Sequence, residues 1–461
     1  MIKNKIYEPN MFQMYLPNIL NLSHSLCRLS DSISWEDLHE SFKTLYSEDM
    51  GRPAKSVRLM VGLHYLKYMK DLSDEVLVEQ WIENPYWQYF CGEEYFQTEF
   101  PIHPTSMTKW RNRLKDSHLQ ELLETTIKSG LKTKTITKRS IKKVNVDTTV
   151  QEKNITFPTD VKLYYSLIRH LVRRAKGHGV SMKQTYERSG KTLLRRHGGY
   201  VHAKQMKRAK RVKSKLKTSL GRLYRDILRN ATPELLMDED FKLLKELVEK
   251  GMSQEKKSKN KLYSVHEPDV ECISKGKAHK RYEFGNKVGF AGTSREGFIL
   301  SAVSFHGNPY DGHTLQETLR QAESNLGSLG KLGEVYVDLG YRGHDYEGEA
   351  KIHIVGRSRK RLTRSQRMWY NRRSVIEADI GHMKGEHRLG RNYLKGKEGD
   401  ALNVAFSACG KNLRMIYRRI ASTFFVVIIF IKKMLNFIKN LVKNETLVTY
   451  PISYALPSLI P

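Results

Sequence analysis

Two aspartates in this chain stand where chemistry on a substrate could be carried out. Asp147 follows the β-branched, alternating segment "KKVNV", and Asp338 follows the apolar segment "EVYV". Each segment has the texture of a strand, so each aspartate is predicted to end a strand. Ligands and catalytic groups collect at strand ends in open α/β sheets. An aspartate in this position more often serves a turn or a cap, so the pair gains weight only from a third acid.

The third acid lies in the segment "YNRRSVIEADIGHMK", which we treat as one helix. At about 100° per residue, Tyr370, Arg373, Glu377 and Lys384 fall within about 60° of one another. Asp379 falls on the opposite side and is predicted to face outward. Glu377 is therefore the acid grouped with a tyrosine and two cations. The simpler alternative is an ordinary ion pair between Glu377 and Arg373, four residues apart on one helix face.

Asp147, Asp338 and Glu377 together would suit a site for hard divalent cations, which prefer carboxylate oxygens. Two Mg²⁺ or Mn²⁺ ions held close together can activate an attacking oxygen and stabilise the leaving oxygen of a phosphodiester. Without metal, three converging carboxylates would repel one another. Arg373 and Lys384 would then hold phosphate groups of the substrate near the ions.

The charge of the chain points to a polyanionic partner. The 461 residues include 80 Lys and Arg against 49 Asp and Glu, a net charge of +31, and 39% are hydrophobic, enough for packed cores. Residues 161–230 alone hold 21 Lys and Arg but only two acidic residues. A solvated helix face normally mixes charges of both signs, so contact with a nucleic-acid backbone is the better interpretation of this stretch.

The pattern of elements predicts an α/β fold with a helical N-terminal domain at 1–135. Strand-like segments in 136–420 flank a long basic helical insertion at about 161–260, and 421–461 form a tail of unknown role. Pro104 is a helix-start signal, and the short helix that follows resembles a recognition helix for the major groove. Its cations are candidate DNA contacts, although a solvated helix is equally compatible: Lys109, Arg111 and Arg113.

Three further features indicate the cellular compartment in which the protein is expected. Four cysteines without a CxxC pair indicate neither a disulfide framework nor a zinc ribbon. The beginning of the chain lacks an apolar signal core, which favours a reducing cytoplasm. The apolar run at 420–431 is shorter than the roughly 20 residues that cross a bilayer, so a buried or amphipathic helix is expected there.

The spacing of Tyr370, Arg373, Glu377 and Lys384, separated by two, three and six residues, resembles the Y-R-E-K signature of bacterial insertion-sequence transposases of the DDE class. The segments "VNVDTTVQ" and "VDLGYRGH" resemble those that carry the first and second acids of that family. "GNPYDGHTL" and "EHRLGRNYLKG" also look like this family. The resemblance extends from about residue 5 to about residue 420.

The resemblance implies a ribonuclease-H-like core in which Asp147, Asp338 and Glu377 bind two Mg²⁺ or Mn²⁺ ions. It implies cutting at the ends of an insertion sequence and joining of the 3′-hydroxyl ends to target DNA. Tyr370 and Trp369 are then expected to contact the DNA end rather than act as nucleophiles, although Trp369 could equally belong to the core. Joining two ends implies at least a dimer on DNA, in a bacterial cytoplasm and associated with the nucleoid.

Two alternatives remain open from the sequence. One is a catalytically inactive relic of a transposase that acts as a DNA-binding repressor, which the charge alone would explain. The other is a metal-dependent nuclease of similar fold that only hydrolyses DNA. The presence of all three acids argues against the relic, and strand-transfer products would distinguish the nuclease.

Overall fold

The computed structural model describes residues 13–46, 53–255, 257–274, 280–356 and 362–445, with the backbone alone for 424–433 and 435–445. Helices precede the first strand, as the sequence predicts. They are α1 Leu16–Ile19, α2 Ser25–Ser32, α3 Trp35–Lys43, α4 Val57–Lys70, α5 Asp74–Glu83, α6 Pro85–Phe90, α7 Pro104–Arg111, α8 Asp116–Lys132 and α9 Lys138–Ile141.

Helix α4 is the centre of this region. Its sequence "VRLMVGLHYLKYMK" is apolar on nearly every side, and almost all of its residues are buried. Its first turn is capped by the Ser56 hydroxyl, which accepts a hydrogen bond from the Leu59 N–H at 3.1 Å. A helix that is apolar all round needs neighbours on every side, which accounts for its enclosed position.

One mixed sheet forms the middle of the chain. Its strands are β1 Lys143–Glu152, β2 Glu271–Ser274, β3 Tyr282–Thr293, β4 Ile299–Phe305, β5 Glu334–Val337 and β6 Lys351–Ile354. The order is β2-β3-β1-β5-β6, and β4 also pairs with β3. β3 is antiparallel to its neighbours β1, β2 and β4, whereas β5 runs parallel to β1 and β6. This topology, with helices packed on it, confirms the predicted ribonuclease-H-like α/β fold.

The predicted helical insertion lies between β1 and β2. Its helices are α10 Asp160–Gly177, α11 Glu187–His202, α12 Met206–Arg229, α13 Pro233–Met237 and α14 Glu239–Ser253. They pack around a hydrophobic core of their own, to which Leu167, Leu220 and Phe241 contribute. The two chain segments that join this block to the sheet meet on β3, where Phe157 and Tyr263 both contact the Phe284 ring.

The remaining helices complete a second core that the N-terminal helices share with the sheet. They are α15 Asp311–Leu326, α16 Arg364–Arg372, α17 Val375–Glu386 and α18 Gly396–Glu445, with short 3₁₀ turns at Gly327–Leu329 and Leu339–Tyr341. Buried residues of α4, α8, the sheet and α18 form one continuous cluster. Asn412 of α18 shows the linkage, because its amide donates to Thr126 Oγ1 in α8 at 3.1 Å and to the Ile299 carbonyl in β4 at 2.8 Å.

Three sequence expectations about these elements are wrong. Asp147 lies in the middle of β1 rather than at its end, because β1 keeps pairing with β3 as far as Glu152. The segment 370–384 is two helices, α16 and α17, separated by a turn at 373–374. Asp379 is buried rather than outward-facing, with an oxygen 3.0 Å from the ammonium of buried Lys411 in α18.

The apolar run beyond Ile420 continues α18 as helical backbone. Within the part of the chain that the structure describes, no helix has the length and apolar character needed to traverse a bilayer. The last part of the predicted tail, 446–461, lies outside the described residues. All four cysteines are free, as expected from their spacing.

Candidate active site

Strand pairing brings two of the predicted acids side by side. β1 and β5 are parallel, and their register runs from Lys143 opposite Glu334 to Asn145 opposite Tyr336. Asp147 lies two residues further along β1, and Asp338 follows two residues after Tyr336. Neighbouring strands are about 4.8 Å apart, so a continuation of this register would set the two aspartates at adjacent positions. β5 ends just before Asp338, whose Oδ1 accepts a hydrogen bond from the Gly340 N–H at 2.9 Å and begins a 3₁₀ turn.

Arg373 connects the third acid to this pair. Its Nη1 lies 3.4 Å from Asp147 Oδ2, and its Nη2 contacts Glu377 Oε1. The Arg373 and Asp147 side chains are 15% and 17% exposed, whereas Glu377 is 55% exposed. The predicted ion pair between Arg373 and Glu377 is therefore present. It does not stand alone, because the same guanidinium bridges Glu377 to the acid on β1.

A buried asparagine fixes the turn between α16 and α17 to the strand that carries Asp147. Asn145 Nδ2 donates to the Arg372 carbonyl at 2.8 Å, and its Oδ1 accepts from Ser294 Oγ at 2.6 Å. Asn145 and Asp147 are two residues apart in a strand, so they point to the same face of the sheet. This alternation was the one signal in the sequence that could have identified Asn145 as part of the site.

The electrostatics of the site are those of crowded, partly buried carboxylates. The pKa of Asp147 is raised to about 6, chiefly by burial; Arg373 lowers it, whereas nearby Asp338 and Glu377 add to the rise. The fully buried phenol of Tyr341 has its pKa raised well above the ordinary value by burial, and additionally by Asp147, Asp311 and Asp338. Three aspartates therefore act on one buried hydroxyl group, which places them in a common neighbourhood.

The fourth carboxylate in this neighbourhood is Asp311, the first residue of α15. Its side chain makes no cap; instead, Oδ1 accepts from Thr148 Oγ1 at 2.7 Å and from Lys287 Nζ at 3.0 Å. A Cβ placed on Gly340 would lie 3.0 Å from an Asp338 oxygen and 3.2 Å from an Asp311 oxygen. Gly340 therefore leaves room where these two acids approach each other.

The acids are of the right chemical type for a hard divalent cation, and a buried aspartate with a raised pKa is one whose charge a cation would stabilise. Among the residues that the structure describes, however, no three His, Cys, Asp or Glu side chains are gathered tightly enough to hold a metal ion. Arg373 provides the positive charge between Asp147 and Glu377 in this arrangement. A metal bound by all three acids would require the guanidinium to move from between them.

The two aromatic candidates lie beside β5 and β6. Trp369 stacks on Tyr336 with ring centroids 6.4 Å apart and carries the Lys143 ammonium 4.6 Å from its centroid. Tyr370 meets Tyr336 edge-on at 6.0 Å, and both α16 aromatics are half-buried. They are thus neither in the core nor fully exposed.

Lys384, half-buried, lies in the last turn of α17, on the face that Glu377 occupies two turns earlier.

The short helix α7 begins at Pro104 as predicted, but its cations divide into two groups. Lys109 and Arg113 are exposed, and both line an open cavity of about 1150 Å³. Arg111 is 3% exposed, with Nη2 2.6 Å from Asp74 Oδ2 and Nη1 3.0 Å from Asp74 Oδ1. A buried guanidinium that is already paired with a carboxylate cannot reach a phosphate, so the expectation that Arg111 contacts DNA is corrected.

Comparison with known proteins identifies the family to which this arrangement belongs. Residues 15–113 match the family model described as "Transposase domain (DUF772)", and residues 261–413 match "Transposase DDE domain". The chain belongs to the DDE transposases of insertion sequences. Asp338 and Glu377 lie inside the second matched range, whereas Asp147 lies before it.

The transposase also resembles a protein of Rhizobium meliloti named "Uncharacterized protein ORF8 in nfe locus". The two are 47% identical over 196 residues, which cover 42% of this chain and 94% of that protein. No solved structure matches the chain. Membership of the family makes the transposase a DNA-processing enzyme, and enzymes of this family generally depend on a divalent metal ion.

Proposed function

We propose that this transposase cuts DNA at the ends of an insertion sequence and joins the resulting 3′-hydroxyl ends to target DNA, with Asp147, Asp338 and Glu377 as its catalytic acids. One observation carries the proposal. The parallel register of β1 and β5 leads towards Asp147 and Asp338, and Arg373 contacts both Asp147 and Glu377. These contacts support a shared site for acids from a strand, a strand end and a helix, in a family that acts on DNA.

The three carboxylates would hold two Mg²⁺ or Mn²⁺ ions, which when bound activate the attacking oxygen and stabilise the leaving oxygen of an in-line displacement. Asp147 would contribute a partly buried oxygen ligand from a rigid strand, and Asp338 one from a strand end fixed by the Gly340 N–H. Glu377, the most exposed of the three, would complete the set from α17. Asn145 holds the end of α16 against β1, and this would position the turn that leads to Glu377 relative to Asp147.

Arg373 has two tasks in this proposal. Without metal, it balances the charges of Asp147 and Glu377, which would otherwise repel each other. Its guanidinium and the Lys384 ammonium, on the same side of α17, would bind phosphates of the DNA. Tyr370 and Trp369 would stack on or hydrogen-bond to the DNA end.

Contacts further from the acids would position the DNA. Exposed Lys109 and Arg113 near α7 are the proposed contacts in the N-terminal region, without Arg111. Because two element ends must be joined, we expect the active assembly on DNA to be at least a dimer. The same requirement implies a location in the bacterial cytoplasm, in association with the nucleoid.

The proposal is tested with the full-length protein, DNA that carries the element's own ends, and Mg²⁺. The wild type is expected to nick the ends and to yield strand-transfer products, whereas Asp338→Ala, Asp147→Asn and Glu377→Gln yield neither while still binding DNA in a gel-shift assay. Glu386→Gln is the matched control, because this acid lies on the same helix but pairs with His382 and Arg414.

The possible results separate the alternatives. If wild type and Asp338→Ala leave the DNA equally intact, this copy is not a catalyst and the proposal fails. If the wild type cuts the ends but no strand-transfer product forms, the enzyme is a hydrolytic nuclease. If Glu386→Gln is as inactive as Glu377→Gln, the assignment of the third acid to Glu377 is wrong.

A further inference from the structure

The outer end of the helical insertion is a hairpin that extends beyond its own hydrophobic core. The last buried leucines on its two helices are Leu193 in α11 and Leu216 in α12. From these residues the helices continue for about ten residues each to a turn at Ala203–Gln205, a reach of roughly 15 Å at 1.5 Å per residue. We call residues 195–211 the arm.

The arm is exposed to solvent along nearly its whole length. Ala209 is its one buried residue, and a Cβ placed on Gly198 or Gly199 would meet no atom within 4 Å. Val201 and Met206 are 40% and 60% exposed, so the apolar side chains at the tip present a substantial part of their surface to solvent. The arm therefore contributes little to the packing of the insertion.

The arm carries a concentration of positive charge that the rest of the protein does not balance. No acidic residue occurs between Glu187 and Asp226. Of the arm's cations, none forms an ion pair with a carboxylate among the described residues, and all are exposed: Arg195, Arg196, Lys204, Lys207, Arg208, Lys210 and Arg211.

This charge distribution is unfavourable for the isolated protein. Lys207 and Arg211 are like charges four residues apart on α12, a spacing that destabilises a helix. Some cations elsewhere in the insertion are compensated, as where Arg174 pairs with Asp238 and Asp240. The arm therefore lacks a structural reason for its charge, and a partner with a dense array of negative charges would supply the compensation.

We infer that the arm is a binding surface for the DNA backbone. It belongs to the helical insertion and is separate from the sheet and helix that carry the proposed catalytic acids. Duplex DNA presents one negative charge per about 1.7 Å of its axis, which suits a slender rod that carries cations on several faces. The exposed Val201 and Met206 would contact sugars at the tip. The inference rests on the proposed function only for the nature of the polyanion, since a transposase acts on DNA.

The inference is tested by DNA binding of the full-length protein to a 30-bp duplex of arbitrary sequence, measured in EDTA over a range of salt concentrations. Phosphate contacts do not depend on base sequence, so the element's own ends are not needed. The test variant is the arm triple Lys207→Gln, Arg208→Gln and Arg211→Gln. The control is the α14 triple Lys242→Gln, Lys245→Gln and Lys250→Gln, which removes the same charge from exposed positions of the same insertion.

We expect the arm triple to lower the slope of log K against log salt by up to about 2.7, from about 0.9 per phosphate contact. At 0.1 M salt this corresponds to affinity weakened by up to ~500-fold. The α14 triple should keep the wild-type slope. Glutamine is a good helix former, so circular dichroism should show unchanged helix content in both triples. Met206→Glu, a single exposed change at the tip, should also weaken binding.

Two results would overturn the inference. One is an arm triple that binds DNA with the wild-type affinity and slope, or that loses no more than the α14 triple. The other is a change in self-association, measured by sedimentation, with DNA affinity unaffected, which would make the arm a contact between copies of the chain. Failure of the proposed function looks different: wild type would neither cut nor join element ends, while its arm-dependent binding to DNA persists.

Discussion

The buried cluster around Asp74 allows a direct test of whether Arg111 contacts DNA, as the sequence suggested, or stabilises the fold. Asp74 Oδ1 lies 2.7 Å from the Lys67 ammonium, and its Oδ2 lies 2.6 Å from Arg111 Nη2. The side chains are 13%, 6% and 3% exposed, in the order Asp74, Lys67, Arg111. If Arg111 contacted DNA, its replacement would weaken DNA binding and leave the free energy of unfolding unchanged. Because Arg111 is buried and paired with Asp74, its replacement should instead lower the free energy of unfolding and leave DNA binding unchanged.

The magnitudes follow from the charges that each substitution leaves behind. Arg111→Met leaves the neutral Lys67–Asp74 pair with one fewer donor, so we expect a loss of about 1–3 kcal/mol in the free energy of unfolding. Asp74→Asn leaves two buried cations without an anion, and breaking a buried pair in this way costs about 3–5 kcal/mol. Asp74→Asn should therefore be the more damaging change, although it alters the smaller side chain.

The pH dependence supports the same conclusion with a definite sign. The Arg111 and Lys67 cations hold the pKa of Asp74 well below its usual range. The stability that this carboxylate contributes is present above the aspartate value of about 4 in the unfolded chain and is lost as the pH falls below it. Burial lowers the pKa of Lys67 to about 8, so above that pH the folded chain loses the Lys67 proton that the unfolded chain still holds. The deficit of Asp74→Asn should consequently shrink as the pH rises from about 7 to about 10.

The assay is urea unfolding followed by circular dichroism, paired with DNA binding at a temperature where each variant is folded. Arg113→Met is the control, since this exposed neighbour should change stability by less than about 0.5 kcal/mol. The reasoning is refuted if Arg111→Met unfolds at the same urea concentration as wild type but binds DNA more weakly and with a smaller salt dependence.

Three further predictions concern other buried groups. Asp311→Asn removes the charge that faces buried Lys287 beside the acids, and we expect DNA cleavage to fall about 10–100-fold with unchanged DNA affinity, measured by cleavage and gel-shift assays. Lys411→Met leaves Asp379 buried without its cation and should cost about 3–5 kcal/mol in urea unfolding; replacing Asp379 by Leu as well should restore most of it. Gly285→Ala places a Cβ 1.8 Å from a carbonyl oxygen of β1, so thermal unfolding should occur at a much lower temperature; wild-type melting would contradict the register of β1 and β3.

The sequence predicted contacts that depend on local geometry. Arg373 and Glu377 are four residues apart, and they meet even though the helix is interrupted just before α17, because the turn between the helices keeps near-helical backbone angles at Arg373 and Ser374. The adjacency of Asp147 and Asp338 was also within reach, because two apolar segments that each carry an acid can pair in parallel. The predicted roles of these acids remain predictions until activity is measured.

The sequence could not predict contacts that depend on distant partners. Periodicity placed Asp379 opposite Glu377, but only Lys411, 32 positions later, decides that this opposite side faces the core. Arg111 was predicted to contact DNA because its short basic helix resembles a recognition helix, and its buried partner Asp74 belongs to another helix. The partners of Asp311, Thr148 and Lys287, come from two different strands, so no local pattern could indicate them.

Helix α18 joins the N-terminal helices and the sheet in one hydrophobic core, since both sides bury their apolar residues against it. DNA gripped near α7 would therefore be held at a set distance from Asp147, Asp338 and Glu377. The number of base pairs between the sequence that the protein recognises and the bond that it cuts would then be fixed by the fold. It would not adjust to insertions in the DNA.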